Sequence, residues 1–478
     1  MASTTSEVPF TVPTYDPSQP NGGDVFTTNV NTQYTGLEFH YIYLVICGYL
    51  VFLIVPGIGL FYAGLSRRKS GLTMLFLSFT VLAVVTFQWI FWGYSLAFSR
   101  DAHPFIGTLQ NFVMRHTIAA PAASSAVIPD IVYCFYQLMF CACTVMIVVG
   151  GAVDRGRILP ALVFGFLWAT IVYCPIACWT WNVNGWLAKL PALDFAGGGP
   201  VHQSSGWAAL AYAAVVGKRA GTPAGTRTKP HNATLVFLGT CLIWFGWFGF
   251  NGGSALNGSV RAMWAAFNTN VAACFGAIGW VTVDLIRHRG RFSLIGACEG
   301  VVAGLVGITP AAGYVSIWPA AAIGFFTAVV CAVAGSVAPA LRVDDGLEVF
   351  KLHAIGGMMG SFLTGIFADQ AISALDGASM YPGGVNGNGK QIGYQLIEIL
   401  AIAGWSFTVS AILLFVLDKV PGMKLRVDEE AEKSGIDGQM FFDERIGEWD
   451  FEGLGLFGLT TSKPSRDADE PGNMLSAS

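Results

Sequence analysis

The chain has 478 residues, of which 54% are hydrophobic and only 12% are charged, and its formal net charge is −4. Soluble domains carry roughly 25% charged residues, so this composition excludes an ordinary soluble domain and indicates a protein that crosses a membrane several times. The ten cysteines fall inside apolar segments, with no CxxC pair and no Cys/His cluster at zinc spacing. We therefore expect them to pack as small apolar residues and to form neither disulfides nor a metal site.

The N-terminal segment, residues 1–40, is polar and lacks the basic and apolar regions of a cleavable signal peptide. It contains four acidic residues and no lysine or arginine, whereas the first apolar run is followed at once by SRRKS at 66–70. Because positive charge is retained on the cytoplasmic side of a membrane, this asymmetry predicts that residues 1–40 are extracellular. The first apolar run would then direct its own insertion.

Eleven segments are apolar enough to span a membrane, which takes about 20 residues per helix. In chain order they are 41–64, 72–98, 127–149, 157–179, 201–217, 233–251, 260–284, 293–309, 317–339, 349–367 and 393–417. With the N-terminus outside, seventeen lysines and arginines fall on the inner side, five on the outer side and four in the distal tail. This distribution predicts an all-α polytopic membrane domain over 41–418, with eleven transmembrane helices, the N-terminus out and the C-terminus in. Residues 419–478 form a cytosolic tail whose distal part we expect to be disordered.

Two of the predicted spans, the fifth and the tenth, begin near a histidine that small residues follow. These are His202 in GGGPVHQSSGWAALAYAA (197–214) and His353 in EVFKLHAIGGMMGSFLTGIFA (348–368). The two helices enter from opposite faces, five spans apart, as expected for two inverted five-helix repeats plus one extra helix. An imidazole both donates and accepts a hydrogen bond, so two adjacent rings could share a proton and offer a small solute a polar foothold. The alternative is that both histidines only hydrogen-bond across helices for packing.

Six segments, taken together and in order, resemble the ammonium transporter (Amt/Mep/Rh) family, and the fungal Mep-type branch is the most similar. They are VPGIGLFYAGLSRRK (55–69), FQWIFWGYSLAFS (87–99), LDFAGGGPVH (193–202), WFGWFGFNGGSALN (244–257), ITPAAGY (308–314) and VDDGLEVFKLHAIGG (343–357). The resemblance covers residues 35–430. It implies an eleven-helix fold, a homotrimer with one pore per subunit, the plasma membrane as location, and ammonium or methylammonium as substrate.

The resemblance also implies roles for individual residues. His202 and His353 correspond to the family's twin pore histidines, and Phe140 and Phe250 to its outer phenylalanine gate. External recruitment of ammonium is assigned to Trp181, Ser254 and Phe140. Asp194 would support the vestibule, and Trp247 would line the pore. Asp194 has a compatible alternative role as the N-terminal cap of the fifth span. At the cytosolic mouth the chain departs from the family, because Glu348 and Lys351 stand where members usually have aspartate and a small residue.

An apolar pore is costly for every intact ion, but ammonium can leave its proton behind and continue as ammonia. Before it enters the pore, we expect the cation to bind at a site of aromatic rings and a serine, where each ring contributes about 0.5–2 kcal/mol of attraction. Deprotonation at the phenylalanine gate would follow, then passage of ammonia along the histidines with a proton relay, and reprotonation inside.

Two other functions stay open at this point: an ammonium sensor that signals through its cytosolic tail, and a passive channel for ammonia or carbon dioxide. A gas channel needs no cation site, which speaks against the second. We do not expect an enzyme, a cofactor or a nucleic-acid partner, because no metal cluster, nucleotide-binding loop or nucleophile elbow is present. The tail segment RIGEWDFEG (445–453) loosely resembles the family's tail motif, and we expect the tail to dock and to meet cytosolic regulators.

Overall fold

The computed structural model describes residues 12–18, 30–221, 229–377, 380–442 and 444. In this part of the chain, helix occupies each of the eleven ranges predicted from the sequence. These helices are α1 (Glu38–Leu65), α2 (Arg68–Phe98), α3 (Asp130–Ala152), α4 (158–181), α5 (198–216), α6 (Ala233–Gly253), α7 (Val260–Arg287), α8 (Leu294–Ile308), α9 (Ile317–Ala340), α10 (350–367) and α11 (Lys390–Lys419).

Smaller elements lie in the connections and in the tail. The tail carries α12 (Glu429–Ser434) and α13 (Asp437–Met440), and an antiparallel pair, β1 (Pro121–Ala122) and β2 (Ser125–Pro129), precedes α3. Short helical turns lie at Val30–Tyr34, Phe112–Met114, Trp186–Lys189, Gln370–Ser373, Ala374–Asp376 and Gly384–Asn386.

The outer faces of the helices carry large exposed apolar side chains, among them Phe79, Leu400 and Phe415. Within the described residues, eight helices are long and apolar enough to cross a membrane, namely α1 to α4, α6, α7, α9 and α11, and α8 is apolar but shorter. An apolar exterior is stable in lipid and unstable in water. The predicted fold class, a helical protein with several membrane spans, is confirmed, whereas the orientation and the inverted repeat stay predictions.

The most enclosed helix is α3, which packs against α1, α2 and α5. Its side chains from Tyr136 to Val149 are all buried. A helix that is apolar on every side is stable in lipid or in a protein core, and the burial of α3 shows that other helices surround it. Residues on α3 therefore lie in the interior of the protein.

The two histidine helices, α5 and α10, cross through glycines. A Cβ atom on Gly206 would lie 2.2 Å from the backbone nitrogen of Ala354, and one on Gly357 would lie 2.7 Å from the carbonyl oxygen of Gly198. Only a residue without a side chain allows two backbones to approach this closely. Both helices also begin with a π-helical turn, at Gly198–Gln203 and Phe350–Ile355, and each turn contains one of the histidines.

The described part of the tail packs against the ends of other helices. The carboxylate of Asp437 accepts hydrogen bonds from the backbone nitrogens of Leu72 and Thr73, both at 3.0 Å, and from the Thr73 hydroxyl at 2.7 Å. The carboxylate of Glu432 accepts a hydrogen bond from the backbone nitrogen of Ala220, beyond the end of α5, at 2.5 Å. The tail thus docks through residues upstream of RIGEWDFEG, which itself lies outside the described residues.

Replacing Gly206 by alanine should lower the midpoint of thermal unfolding, because the backbone of Ala354 has to move away from the new methyl group. Overpacking of this kind costs about 1–3 kcal/mol. The control is Gly404→Ala in α11, where no described atom other than those of its own stretch of helix lies within 4 Å of the position that the new Cβ atom would take. Thermal unfolding of the purified variants, followed by intrinsic fluorescence, measures the difference. Equal midpoints for the two variants would contradict the importance of the crossing.

Candidate functional site

Three aromatic rings from three helices meet in one layer. Phe140 of α3 and Phe250 of α6 stack with their centroids 3.9 Å apart and their planes 18° from parallel, and both side chains are buried. Trp181, the last residue of α4, meets Phe140 edge-on at 6.0 Å. The structure therefore brings together the two residues expected to form the gate and places an expected recruitment residue against one of them.

Ser254 lies at the C-terminal end of α6, one helical turn beyond Phe250. Its hydroxyl donates to the Phe250 carbonyl oxygen at 2.9 Å and lies 3.2 Å from the hydroxyl of Tyr136. Tyr136 in turn donates to the same carbonyl at 2.6 Å, and its ring lies 4.8 Å from that of Phe140. The sequence analysis missed Tyr136, and the only signal for it was its spacing of four residues from Phe140.

Asp194 holds the start of α5. Its carboxylate accepts hydrogen bonds from the backbone nitrogens of Gly197, Gly198 and Gly199 at 2.7, 2.8 and 2.7 Å. Its carbonyl oxygen accepts from the indole nitrogen of Trp181 at 3.1 Å. The capping geometry expected for Asp194 is thus present, and the same residue anchors the tryptophan of the aromatic layer.

The two histidines lie in contact beneath this layer. The Nδ1 atoms of His202 and His353 are 3.3 Å apart, and both side chains are buried. Trp247 stacks on His202 with a centroid distance of 5.2 Å, and its ring lies 5.3 Å from that of Phe250. The rings therefore form a continuous column from the aromatic layer to the second histidine.

Thr309, just after the last residue of α8, joins this column through its hydroxyl. The Trp247 indole nitrogen donates to Thr309 Oγ1 at 2.9 Å, and His202 Nε2 lies 3.3 Å from the same oxygen. Thr309 itself donates to the Leu305 carbonyl at 2.7 Å. The sequence analysis quoted the segment ITPAAGY, which contains this threonine, but did not single it out, because a threonine in an apolar helix commonly bonds only to its own backbone.

A narrow cavity of about 20 Å³ runs beside the two imidazoles. Aliphatic side chains such as Ile58, Ile243 and Val302 dominate its lining. A volume of this size holds about one molecule as large as water. The cavity is therefore matched to a very small solute and offers little polar surface apart from the histidines.

Ion pairs surround the residues expected at the cytosolic mouth, Glu348 and Lys351, which lie at the start of α10. Lys351 Nζ lies 2.5 Å from Glu348 Oε2. Nearby, Arg219 bonds Asp344 at 2.8 Å and Asp154 at 3.3 Å, which ties the C-terminal end of α5 to the loop that precedes α10. Burial opposes ionisation of Asp344, but the hydrogen bonds and charge of Arg219 outweigh it and lower the pKa of this carboxyl. Among the described residues, no group of three His, Cys, Asp or Glu side chains could hold a metal ion.

Comparison of the sequence with known proteins indicates one family. The family model described as Ammonium Transporter Family matches residues 42–445. "Ammonium transporter 1" of Schizosaccharomyces pombe is 48% identical over 441 residues, which are 91% of this chain and 86% of that protein. "Ammonium transporter MEP2" of Saccharomyces cerevisiae is 46% identical over 442 residues, covering 90% of this chain and 86% of that protein.

The fold comparison leads to the same family. The crystal structure of Candida albicans Mep2 superposes with a TM-score of 0.82 at 44% identity, over 86% of this chain and 90% of that chain. The crystal structure of Saccharomyces cerevisiae Mep2 gives a TM-score of 0.81 at 45% identity, over 86% and 92% of the two chains. This multi-pass membrane protein belongs to the ammonium transporter family.

Proposed function

We propose that this chain, an ammonium transporter by family, accepts ammonium at an outer aromatic site and conducts ammonia past His202 and His353 to the cytosol. The observation that carries the proposal is the Nδ1–Nδ1 contact of 3.3 Å beside a cavity of about 20 Å³. Such a cavity has room for ammonia, and the imidazoles provide its main polar contacts. The natural substrates are ammonium and methylammonium.

The first step is recruitment of the cation at Trp181, Ser254 and Phe140. The faces of aromatic rings attract a cation, and the attraction grows as water is removed. The hydroxyl of Ser254 has lone pairs that accept an N–H bond from the cation. Asp194 supports this step by anchoring Trp181, although its own carboxylate is occupied by three backbone N–H groups.

The second step is loss of charge at the stacked pair Phe140 and Phe250. An ion entering the apolar cavity would lose its hydration without finding replacement ligands, which is very costly. Potassium has no way around this cost, whereas ammonium gives up a proton, which the histidine relay of the third step carries inward, and continues as neutral ammonia. Selectivity in this mechanism comes from the chemistry of ammonium and does not require a site that measures ion size.

The third step is proton transfer along the histidines, and Thr309 determines its resting state. The Thr309 hydroxyl donates its one hydrogen to the carbonyl oxygen of Leu305. Its oxygen accepts a hydrogen bond from the indole nitrogen of Trp247. Its remaining lone pair accepts a hydrogen bond from the N–H group at His202 Nε2. His202 Nδ1 is then an acceptor, so His353 Nδ1 carries the shared proton. This arrangement is the one left after a proton has moved inward, and the tautomers must reset before the next transfer.

Assembly and location follow from the same proposal. The protein forms a homotrimer in the plasma membrane with its N-terminus outside and its tail in the cytosol. A second candidate function is sensing of ammonium through the tail, and the docked carboxylate of Asp437 favours it, because this carboxylate couples the tail directly to the first turn of a spanning helix. A passive gas channel is disfavoured because it would have no use for the aromatic and serine site.

Replacing His353 by alanine should reduce uptake of labelled methylammonium at least about ten-fold and admit a potassium current, because the cavity loses its proton relay and gains space. The measurement is simultaneous recording of current and labelled uptake in liposomes containing the full chain. His103→Ala is the control, since that side chain is exposed. In the unchanged protein, one charge per solute indicates that the proton follows ammonia, and no charge indicates gas alone. Unchanged uptake in His353→Ala and His202→Ala would refute the relay.

Replacing Thr309 by valine should reduce uptake about ten-fold and lower the thermal midpoint, because the buried donors of Trp247 and His202 lose their acceptor. An unpaired buried donor costs about 1–3 kcal/mol. Thr327→Val is a matched control, since its buried hydroxyl has no hydrogen-bond partner among the described residues. Similar uptake in the two valine variants would be inconsistent with the assigned role of Thr309.

A further inference from the structure

Lys351, two residues before the pore histidine His353, has its ammonium group enclosed by three side chains. Lys351 Nζ lies 4.7 Å from the centre of the Trp280 ring, 2.5 Å from Glu348 Oε2 and 3.7 Å from Glu299 Oε2. The side chain of Lys351 is only 8% exposed and that of Glu299 only 1%. We refer to Trp280, Glu299 and Glu348 as the inner cage.

The inner cage has the composition of a binding site for a small ammonium ion. The face of a tryptophan ring is the best aromatic partner for a cation, and its attraction increases when the pair is desolvated. Two carboxylates accept N–H bonds from different directions, as a tetrahedral cation with several hydrogens requires. The group that fills the cage is itself a primary ammonium, so its occupant already has the chemistry of the transported ion.

The cage is built into the fold from three separate elements. Trp280 lies on α7, Glu299 on α8, and Glu348 just before α10. Glu348 adopts a positive φ of 56°, which is unfavourable for a residue with a side chain. Strained backbone of this kind persists only where the surrounding structure holds it and is often associated with a functional site.

Solute ions can reach the cage from an open recess of about 550 Å³. Its lining includes all three cage residues, Lys351 and a further acid, Asp284. Lys229 and Arg287 line the same recess and balance part of the acidic charge. The recess therefore gives the cage a route to solvent that does not pass through the pore cavity.

We propose that Trp280, Glu299 and Glu348 form a second binding site for ammonium and methylammonium, and that Lys351 keeps this site occupied with its own ammonium group. The inference rests on the proposed function for its choice of ligand, since the chain handles these cations. A tethered group has an effective concentration in the millimolar range or above. Dilute ammonium arriving from the pore or the cytosol therefore does not displace it, and the released product is not retained at the inner mouth.

The test uses the purified full chain and replaces Lys351 by methionine, which keeps the apolar stem and removes the charged head. Calorimetric titration with methylammonium chloride, against sodium chloride at equal ionic strength, should show one more binding event per chain than the unchanged protein shows. Methylammonium should also raise the thermal midpoint of this variant more than that of the unchanged protein. In Lys351→Arg, which keeps a cation in the cage, the additional binding should be absent.

A matched double variant, Lys351→Met with Glu299→Gln, should weaken the additional binding at least ten-fold, because the most buried carboxylate is lost. If Lys351→Met fails to fold, Lys351→Gln replaces it, since a neutral amide still donates to either carboxylate and leaves the cation position free. An absence of additional methylammonium binding in the variant that folds would overturn the proposal, as would equal binding of sodium. Calorimetry measures binding without transport, so the two proposals can fail separately. If the variant shows the additional binding but the unchanged chain moves no methylammonium into liposomes, the cage is supported and the proposed function is refuted.

Discussion

The approach of α5 and α10 through glycine is the constraint on which the site depends. At Gly206 the helices are so close that a single methyl group would overlap the backbone of Ala354. This contact brings the first turns of the two helices together and leaves the Nδ1 atoms of His202 and His353 at 3.3 Å. Each imidazole thereby provides a partner for the Nδ1 atom of the other, and a buried polar group without a partner is costly.

A framework of hydrogen bonds fixes the side chains around this crossing. Thr309 joins Trp247 and His202, and Asp194 joins the start of α5 to Trp181. Thr309 thus links α5 to α6, and Asp194 links α4 to α5. These bonds restrict the orientations that the side chains around the histidines can adopt.

The two ends of the site differ in the kind of side chain they present, aromatic at one end and charged at the other. The end predicted to face outward presents stacked aromatic rings and a hydroxyl, and the nearby carboxylate of Asp194 accepts hydrogen bonds from backbone groups. The end predicted to face the cytosol carries charges in pairs, among them Arg219 with Asp344 and Lys351 with Glu348. In the mechanism proposed here, the outer end attracts a cation by ring faces, whereas the inner end neutralises its acids with its own basic groups.

The sequence by itself determined the helical, many-span fold, because a hydrophobic stretch of sufficient length has few alternatives in a membrane. It also singled out His202, His353, Phe140 and Phe250, since the resemblance to the family matches each of them to a pore position. Only the tertiary structure revealed Tyr136 and Thr309 as partners, the cage of Trp280 and Glu299 around Lys351, and the docking of the tail through Asp437. These contacts join residues of different helices, and their distances depend on how the helices pack, which no local pattern of residues records.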